Sequence, residues 1–261
     1  MPTDPVPSLH RIALVLEYDG TDFAGWQIQP RARTVQGEVS KAVATLYGQP
    51  LRLQGASRTD AGAHALYQVA AFTAPARYTP ATVRNALNAT LPPDVRVVEA
   101  YTVPLAFDPR RHARARQYRY LVWNRREASP FWRRFAYHCP HTLHLPRMEQ
   151  AARLMEGTRD FASFAGPAGR RCTVRTIAQA GITRKGDLLV FTIEGNAFLP
   201  GQVRRMVGTL LEVGLGKLSV HAVHALLESP RPSAAGPAVP AHGLFLTRIA
   251  YPTFPPVSEA P

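Results

Sequence analysis

The sequence predicts an α+β fold of two ferredoxin-like, RRM-like halves with a largely antiparallel central sheet and helices on one side. Two observations carry this. Segments of strand and helix periodicity follow one another as βαββαβ over residues 9–103, the order of a split βαβ unit. A looser version of the same recipe then repeats, with the changeover near residues 105–112. At 261 residues the chain has the length for two such halves, each with its own core.

Each element has a local reason. Residues 9–18, LHRIALVLEY, alternate and are rich in branched side chains, which predicts a strand. Thr34 offers a capping hydroxyl, and Val35, Val39, Ala42, Val43 and Leu46 recur at helical spacing to about Gly48. Strands are expected over 50–54 and 66–73. Thr79 and Pro80 open a second helix continued by Val83, Leu87 and Leu91, and a strand over 95–103 closes the half. In the second half, 117–123 reads as a strand and 145–156 as a helix that turns Met148, Ala152 and Met155 inward. Residues 175–196 form a hairpin around Lys185-Gly186-Asp187. Helices over 201–213 and 219–227 precede a Pro/Ala-rich loop, SPRPSAAGPAVPAH, and a last strand over 243–251. The halves are therefore placed at 9–106 and 107–252, with the tails 1–8 and 253–261 expected to be disordered.

Charge narrows the partner. The formal net charge is +13, and only Lys41, Lys185 and Lys217 are lysines. Arginine binds phosphate in a planar, bidentate fashion and stacks on bases, which suits RNA. Composition alone does not separate this from a GC-rich genome or heat adaptation. Distribution favours RNA: FDPRRHARARQYRYLVWNRRE and SPFWRRF interleave arginines with Tyr118, Tyr120, Trp123, Phe131 and Trp132. A half-buried strand with one basic face would look similar. On this reading an RNA-binding cleft lies between the halves.

Other classes are disfavoured. No apolar run approaches membrane-span length, and the N-terminus lacks a secretory pattern, so a cytoplasmic location and no membrane partner are expected. Cys139 and Cys172 have no CxxC spacing, and no histidine pair has the spacing of a zinc hydrolase. Neither GxxxxGK[ST] nor GxGxxG occurs. Neither a metal nor a cofactor is expected.

One stretch stands out: residues 55–64, GASRTDAGAH, surround a single carboxylate, Asp60, with small residues, Arg58 and His64. It falls on a loop between strands, where chemistry tends to sit. A plain turn at Thr59-Asp60-Ala61-Gly62 would explain it as well, and a lone histidine after a turn is usually structural.

The wider pattern resolves the choice. GASRTDAGAHALYQVAAF resembles the GxGRTDxGVHAxGQVxxF motif of the tRNA pseudouridine synthase A family. YDGTDFAGWQIQP with RTVQGEV, ARARQYRYLV, GTRDFASFA, VRRMVGTLLEVGLGK and GLFLTRIAYP are similar to further blocks of that family, in its order, over about residues 10–252. The resemblance implies an isomerase that turns uridine into pseudouridine in tRNA, at positions 38, 39 and 40 of the anticodon stem-loop. It implies no cofactor, and a homodimer in which one tRNA contacts both subunits. Asp60 matches the family nucleophile, which attacks C6 of the base or C1′ of the ribose.

A carboxylate closed over a base is desolvated, which raises its pKa, and a nearby arginine offsets that. Arg58 and Arg204 are the two candidates. Arg204 matches the family's basic residue and shares a helix face with Val207, Gly208 and Leu211, whereas Arg205 shares one with Thr209 and Glu212 and is expected in solvent. Gly208 would let another backbone approach. Tyr118 matches the active-site tyrosine, with Tyr120 on the same strand face as its rival. The resemblance also places Arg58, Thr59, His64, Gln27 and Leu244 at the substrate, and Phe23 and Trp26 in packing or RNA contact.

The chain departs from the family in having Ser57 and Ala63 in the first motif, small for small, and Pro200-Gly201 before Arg204 where a bulky basic pair is usual. The pair is expected to reshape the helix start while leaving Arg204 in register. A noncatalytic RNA-binding protein on the same scaffold, or a synthase for other tRNA positions, are the alternatives.

Overall fold

The computed structural model describes residues 8–166 and 172–253. The tails expected to be disordered therefore lie outside the described residues, apart from Ser8 and Thr253. Ten strands and five α-helices are present among the described residues, an α+β fold as the sequence predicts. They group into two compact units, one running to Arg114 and resuming at Ile249, the other spanning Ala115–Arg248.

The first unit contains β1 (Leu9–Tyr18), α1 (Val35–Tyr47), β2 (Gln54–Gly55), β3 (His64–Pro75), α2 (Pro80–Thr90) and β4 (Val95–Val103). β1 lies between β3 and β4, antiparallel to both, and β2 pairs with β3. This β4-β1-β3-β2 order is that of the split βαβ unit. Local chemistry sets the helix ends. Thr34 Oγ1 accepts from Gly37 N at 3.2 Å, and Gly48 ends α1 in the left-handed region at φ 71°. Thr79 Oγ1 accepts from Thr82 N at 3.2 Å, with Pro80 in the first turn of α2.

Two readings need correction. The strand expected over 50–54 shrinks to Gln54–Gly55, because Pro50 and the residues after it make no ladder. β1 is not a half-buried alternating strand: Arg11 to Leu16 are all buried, so both faces of this central strand are covered. Arg11 is tolerated there because its guanidinium donates to the Phe107 carbonyl (2.6 Å), Thr73 Oγ1 (2.9 Å) and Gln54 Oε1. Two of the bonds that join the chain after Ile249 to this unit lie at Arg114 and Tyr251. Arg114 N donates to the Ala250 carbonyl at 2.8 Å, and the Tyr251 hydroxyl to the Pro109 carbonyl at 2.6 Å.

The second unit contains β5 (Ala115–Trp123), β6 (Tyr137–His138), α3 (Leu145–Leu154), β7 (Gly157–Asp160), β8 (Val174–Lys185), β9 (Leu188–Gly195), α4 (Gln202–Gly214), α5 (Val220–Glu228) and most of β10 (Leu244–Ala250). Its strands follow the order β10-β5-β9-β8-β7, with β6 alongside the end of β5. The predicted hairpin is β8–β9, turned by Gly186 at φ 60°, the position where a two-residue hairpin turn needs a left-handed residue. β6 and β7 have no signal in the sequence; both are too short for a period to show.

α4 is the core of this unit, with Val203, Met206, Val207, Leu210, Leu211 and Val213 all buried. The helix is buried around most of its girth, so the expected division of faces is too sharp. Thr209 is fully buried, and Arg205, like Arg204, is half-buried. At the start of α4 Gly201 sits at φ 70°, and Gln202 folds back so that its Oε1 accepts from Leu199 N at 2.8 Å. Gly208 meets another backbone, since a Cβ built on it would overlap the Pro237 carbonyl oxygen. Gly208→Ala should therefore cost about 1–3 kcal/mol of stability through overpacking. Thermal unfolding of the two proteins at matched concentration would show it as a lowered Tm.

Candidate functional site

Asp60 lies on the loop between β2 and β3, half-buried. Its local shape is a β-turn of residues 60–63: Ala63 N donates to the Asp60 carbonyl at 3.1 Å, and Gly62 takes φ 77° at the third position. The turn is thus one residue later than the sequence suggests, and Asp60 opens it. A tight turn leaves this stretch few bonds of its own, so others must hold it.

Those bonds come from three directions. The Thr59 carbonyl accepts from Trp26 N at 3.2 Å, and Gly62 N donates to the Phe23 carbonyl at 3.1 Å. Thr59 Oγ1 is 2.8 Å from the Tyr18 hydroxyl. The Gln68 amide, fully buried, donates to the Ser57 carbonyl (2.7 Å) while its oxygen accepts from Ser57 N and Val69 N (both 3.2 Å). Gly25 passes so close beneath that a Cβ on it would lie 2.7 Å from the Thr59 carbonyl oxygen, and its φ of 94° excludes other residues without strain. Trp26 lays its ring over Gly55 and stacks on Tyr18 at 6.2 Å.

The other predicted residues of this unit divide by exposure. Arg58 and Gln27 are exposed. Thr59 is 7% exposed and His64 1%. Thr59 is engaged as described. His64 Nδ1 accepts from Gly20 N at 3.0 Å and lies 3.2 Å from Asp19 Oδ1, which in turn caps Thr21. The histidine fixes the loop after β1, and its ring is closed to solvent. Phe23 and Trp26 are buried, which assigns them to packing.

In the second unit Tyr118 and Tyr120 both face inward from β5. Tyr120 is fully buried, its hydroxyl donates to the Pro240 carbonyl at 2.7 Å, and burial pushes its pKa far up despite the nearby Arg204 charge. It has no role left beyond structure. Tyr118 is 5% exposed and stands edge-on to Phe198 at 5.2 Å. Arg204 Nε donates to the Val239 carbonyl at 2.6 Å, and Val239 N returns a bond to the Arg204 carbonyl at 3.3 Å. Leu244, 5% exposed, begins β10. The Pro/Ala-rich loop is therefore a strap: Pro237, Val239 and Pro240 fix Gly208, Arg204 and Tyr120 respectively.

Sequence reasoning missed Gln68, Tyr18 and this strap. Gln68 carried one signal, a lone amide in the apolar run LYQVAAF. The strap carried none, because its bonds use backbone carbonyls. Among the described residues, no group of three or more His, Cys, Asp or Glu is arranged to hold a metal, and no helix is long and apolar enough to cross a membrane.

A fold of this order with an acidic turn on buried supports defines a class, and comparison with known proteins names it. The family model described as tRNA pseudouridine synthase matches residues 14–110 and 151–252. The tRNA pseudouridine synthase A of Anoxybacillus flavithermus is 41% identical over 93% of this chain and 99% of its own length. That of Thermotoga petrophila is 40% identical over 93% and 100%, and that of Halalkalibacterium halodurans 42% identical over 92% of each. Among solved structures, a chain titled as a Cbf5-Nop10-Gar1 complex covers 90% of this chain and 58% of its own at a TM-score of 0.35 and 11% identity, too remote to bear on the site. The chain belongs to the tRNA pseudouridine synthase A family, a family of isomerases.

Replacing Gln68 by Leu removes its bonds to the Ser57 amide and carbonyl. The expected loss is about 1–3 kcal/mol, read by urea unfolding. Isomerase activity should fall further than the folded fraction does, because the loop that carries Asp60 loses its anchor.

Proposed function

We propose that this protein isomerises uridine to pseudouridine in the anticodon stem-loop of tRNA, at positions 38, 39 and 40, with Asp60 as nucleophile. The observation that carries the reading is the Asp60 turn, half-buried and clamped from Tyr18, Trp26 and Gln68, within a chain that matches its relatives over nearly its whole length. A carboxylate carried on a clamped backbone meets C6 or C1′ of a bound uridine with the loop already ordered, which removes an entropic part of the barrier. Attack there is followed by cleavage of the N-glycosidic bond, and the base rotates and rejoins C1′ of the ribose through C5. The bond to Asp60 breaks again to return the carboxylate, the C5 proton leaves to solvent and N1 takes one up, so the composition of the nucleotide is unchanged and no co-reactant is consumed.

The family resemblance gives the other roles. Tyr118 stacks on the displaced base and assists removal of the C5 proton. Because Tyr118 is packed against Phe198, its ring becomes available only as Phe198 yields. Arg204 is the counterpart of the basic residue that partners the aspartate in the family. Arg58 and Gln27, exposed, contact tRNA, while Thr59 and His64, buried, hold the loops around Asp60, and Leu244 contributes to substrate binding. The enzyme works as a homodimer, one tRNA touching both subunits.

Tritium release from tRNA labelled at uridine C5 tests this. Wild type should release label from positions 38–40, and Asp60→Asn should lower the rate by about 10³-fold or more, as loss of a covalent nucleophile does. Comparable rates in the two proteins would remove Asp60 from the chemistry. tRNA binding without any release in the wild type would leave a binding protein instead. Affinity should fall steeply and log-linearly with salt, as phosphate contacts require; a flat response would mean that the arginines do not hold tRNA.

A further inference from the structure

One cluster that the sequence singled out has no part in the reaction above, the aromatic and cationic segment SPFWRRF. In the structure it closes a cavity of about 260 Å³ against the end of β5, with Trp123, Trp132, Tyr137 and Pro240 in its wall. The two indoles stack at 6.2 Å and 22°. We propose that this cavity is a second nucleotide site, taking one unpaired tRNA nucleotide by stacking of its base and holding its phosphate with Arg133 and its neighbours. The proposal rests on tRNA being the substrate.

The site is built rather than incidental. Ser129 caps a single turn, its Oγ accepting from Phe131 N and Trp132 N (both 3.3 Å), and the turn closes through Arg133 N to the Ser129 carbonyl and Ala136 N to the Trp132 carbonyl. β6 then pairs Tyr137 with Val122. Asn124 Nδ2 donates to the Cys139 and His141 carbonyls at 2.9 and 2.8 Å, so both ends of the segment are fixed.

The polar atoms of the wall are largely spent on the protein. Trp123 Nε1 donates to the Glu127 carbonyl at 3.1 Å, and His138 Nε2 lies 2.9 Å from the Arg125 carbonyl. What the cavity offers is ring faces and a cationic rim, which reads the face of a base and not its edge. Binding there should be indifferent to base identity. Arg133, exposed and in the cavity wall, supplies the cation for a phosphate, within a segment, residues 124–134, that holds four arginines against Glu127 alone. Glu127 and Asp187 are both answered by Arg125, at 3.2 and 3.9 Å. An apolar protein side chain would use the rings but not the arginines. Trp123 follows Tyr118 by five residues on one strand, about 16 Å at the rise of an extended chain. The cavity therefore takes a different nucleotide from the one that reacts.

The test uses the full-length protein, with Trp132→Ala, Trp132→Phe and Arg133→Ala. Oligo(A) and oligo(U) pentamers should both quench wild-type tryptophan fluorescence with affinities within a few-fold of each other, and Trp132→Ala should weaken both by about ten-fold or more. KM for tRNA should rise by a similar factor and by more than kcat falls, with Trp132→Phe restoring most of the loss and Arg133→Ala lowering the salt dependence. Circular dichroism of Trp132→Ala checks that it folds; if it does not, the Phe and Arg133 variants carry the comparison. Unchanged pentamer affinity in folded variants, a strong preference for one base, or an effect of Trp132 confined to self-association or protein binding would overturn the proposal. If wild type binds pentamers at this site but never isomerises tRNA, the proposed function fails while the nucleotide site stands.

Discussion

The placement of Asp60 depends on hydrogen bonds that the main chain of its loop makes to the buried Gln68 side chain and to the main chain at Phe23 and Trp26. Between β2 and β3 the chain makes almost no ladder of its own, yet Ser57, Thr59 and Gly62 each have their backbone groups caught by Gln68, Trp26 or Phe23. Each bond contributes modestly, about 1 kcal/mol net, but leaving a buried partner unmade costs more. The loop therefore has one satisfied arrangement and no cheap alternative. Small residues are part of the same constraint: Gly25, with φ 94°, sits where any side chain would push into Thr59 and Asp60.

The second unit solves a similar problem with a strap in place of a side-chain amide. Pro237, Val239 and Pro240 lie across α4 and β5, and their carbonyls meet Gly208, Arg204 and Tyr120. Prolines suit this role, since they present carbonyls without adding amides that would need partners of their own. Arg204 thus has part of its guanidinium committed to backbone, which fixes where the rest of the group sits.

Net charge is a coarse guide to the RNA surface for a related reason. Several arginines fasten parts of the protein together, some buried and some at the surface. Arg11 holds the Phe107 segment to β3, Arg33 pairs with Asp94 at 2.8 and 3.0 Å over the Phe23 ring, and Arg116 grips the Asn196 carbonyl. Arg96 does the same for Pro92 and Val95. The exposed arginines that no such bond occupies, Arg58, Arg126 and Arg133 among them, are the better index of where a polyanion would be met.

Sequence alone determined the elements whose signals are local. The helix caps at Thr34 and Thr79, the Gly186 hairpin and the order of the first split βαβ unit follow from side-chain periodicity and turn chemistry acting within a few residues. The family motif likewise marked Asp60, Tyr118 and Arg204, because each lies in a contiguous block. Tertiary structure decided what depends on contacts across the chain. It shifted the turn so that Asp60 opens it, closed His64 off from solvent, separated Tyr118 from Tyr120 by giving the latter's hydroxyl to Pro240, and buried α4 almost all round. Backbone carbonyls and amides did most of that work, and they are the same in every residue, so no sequence pattern records which of them will be caught.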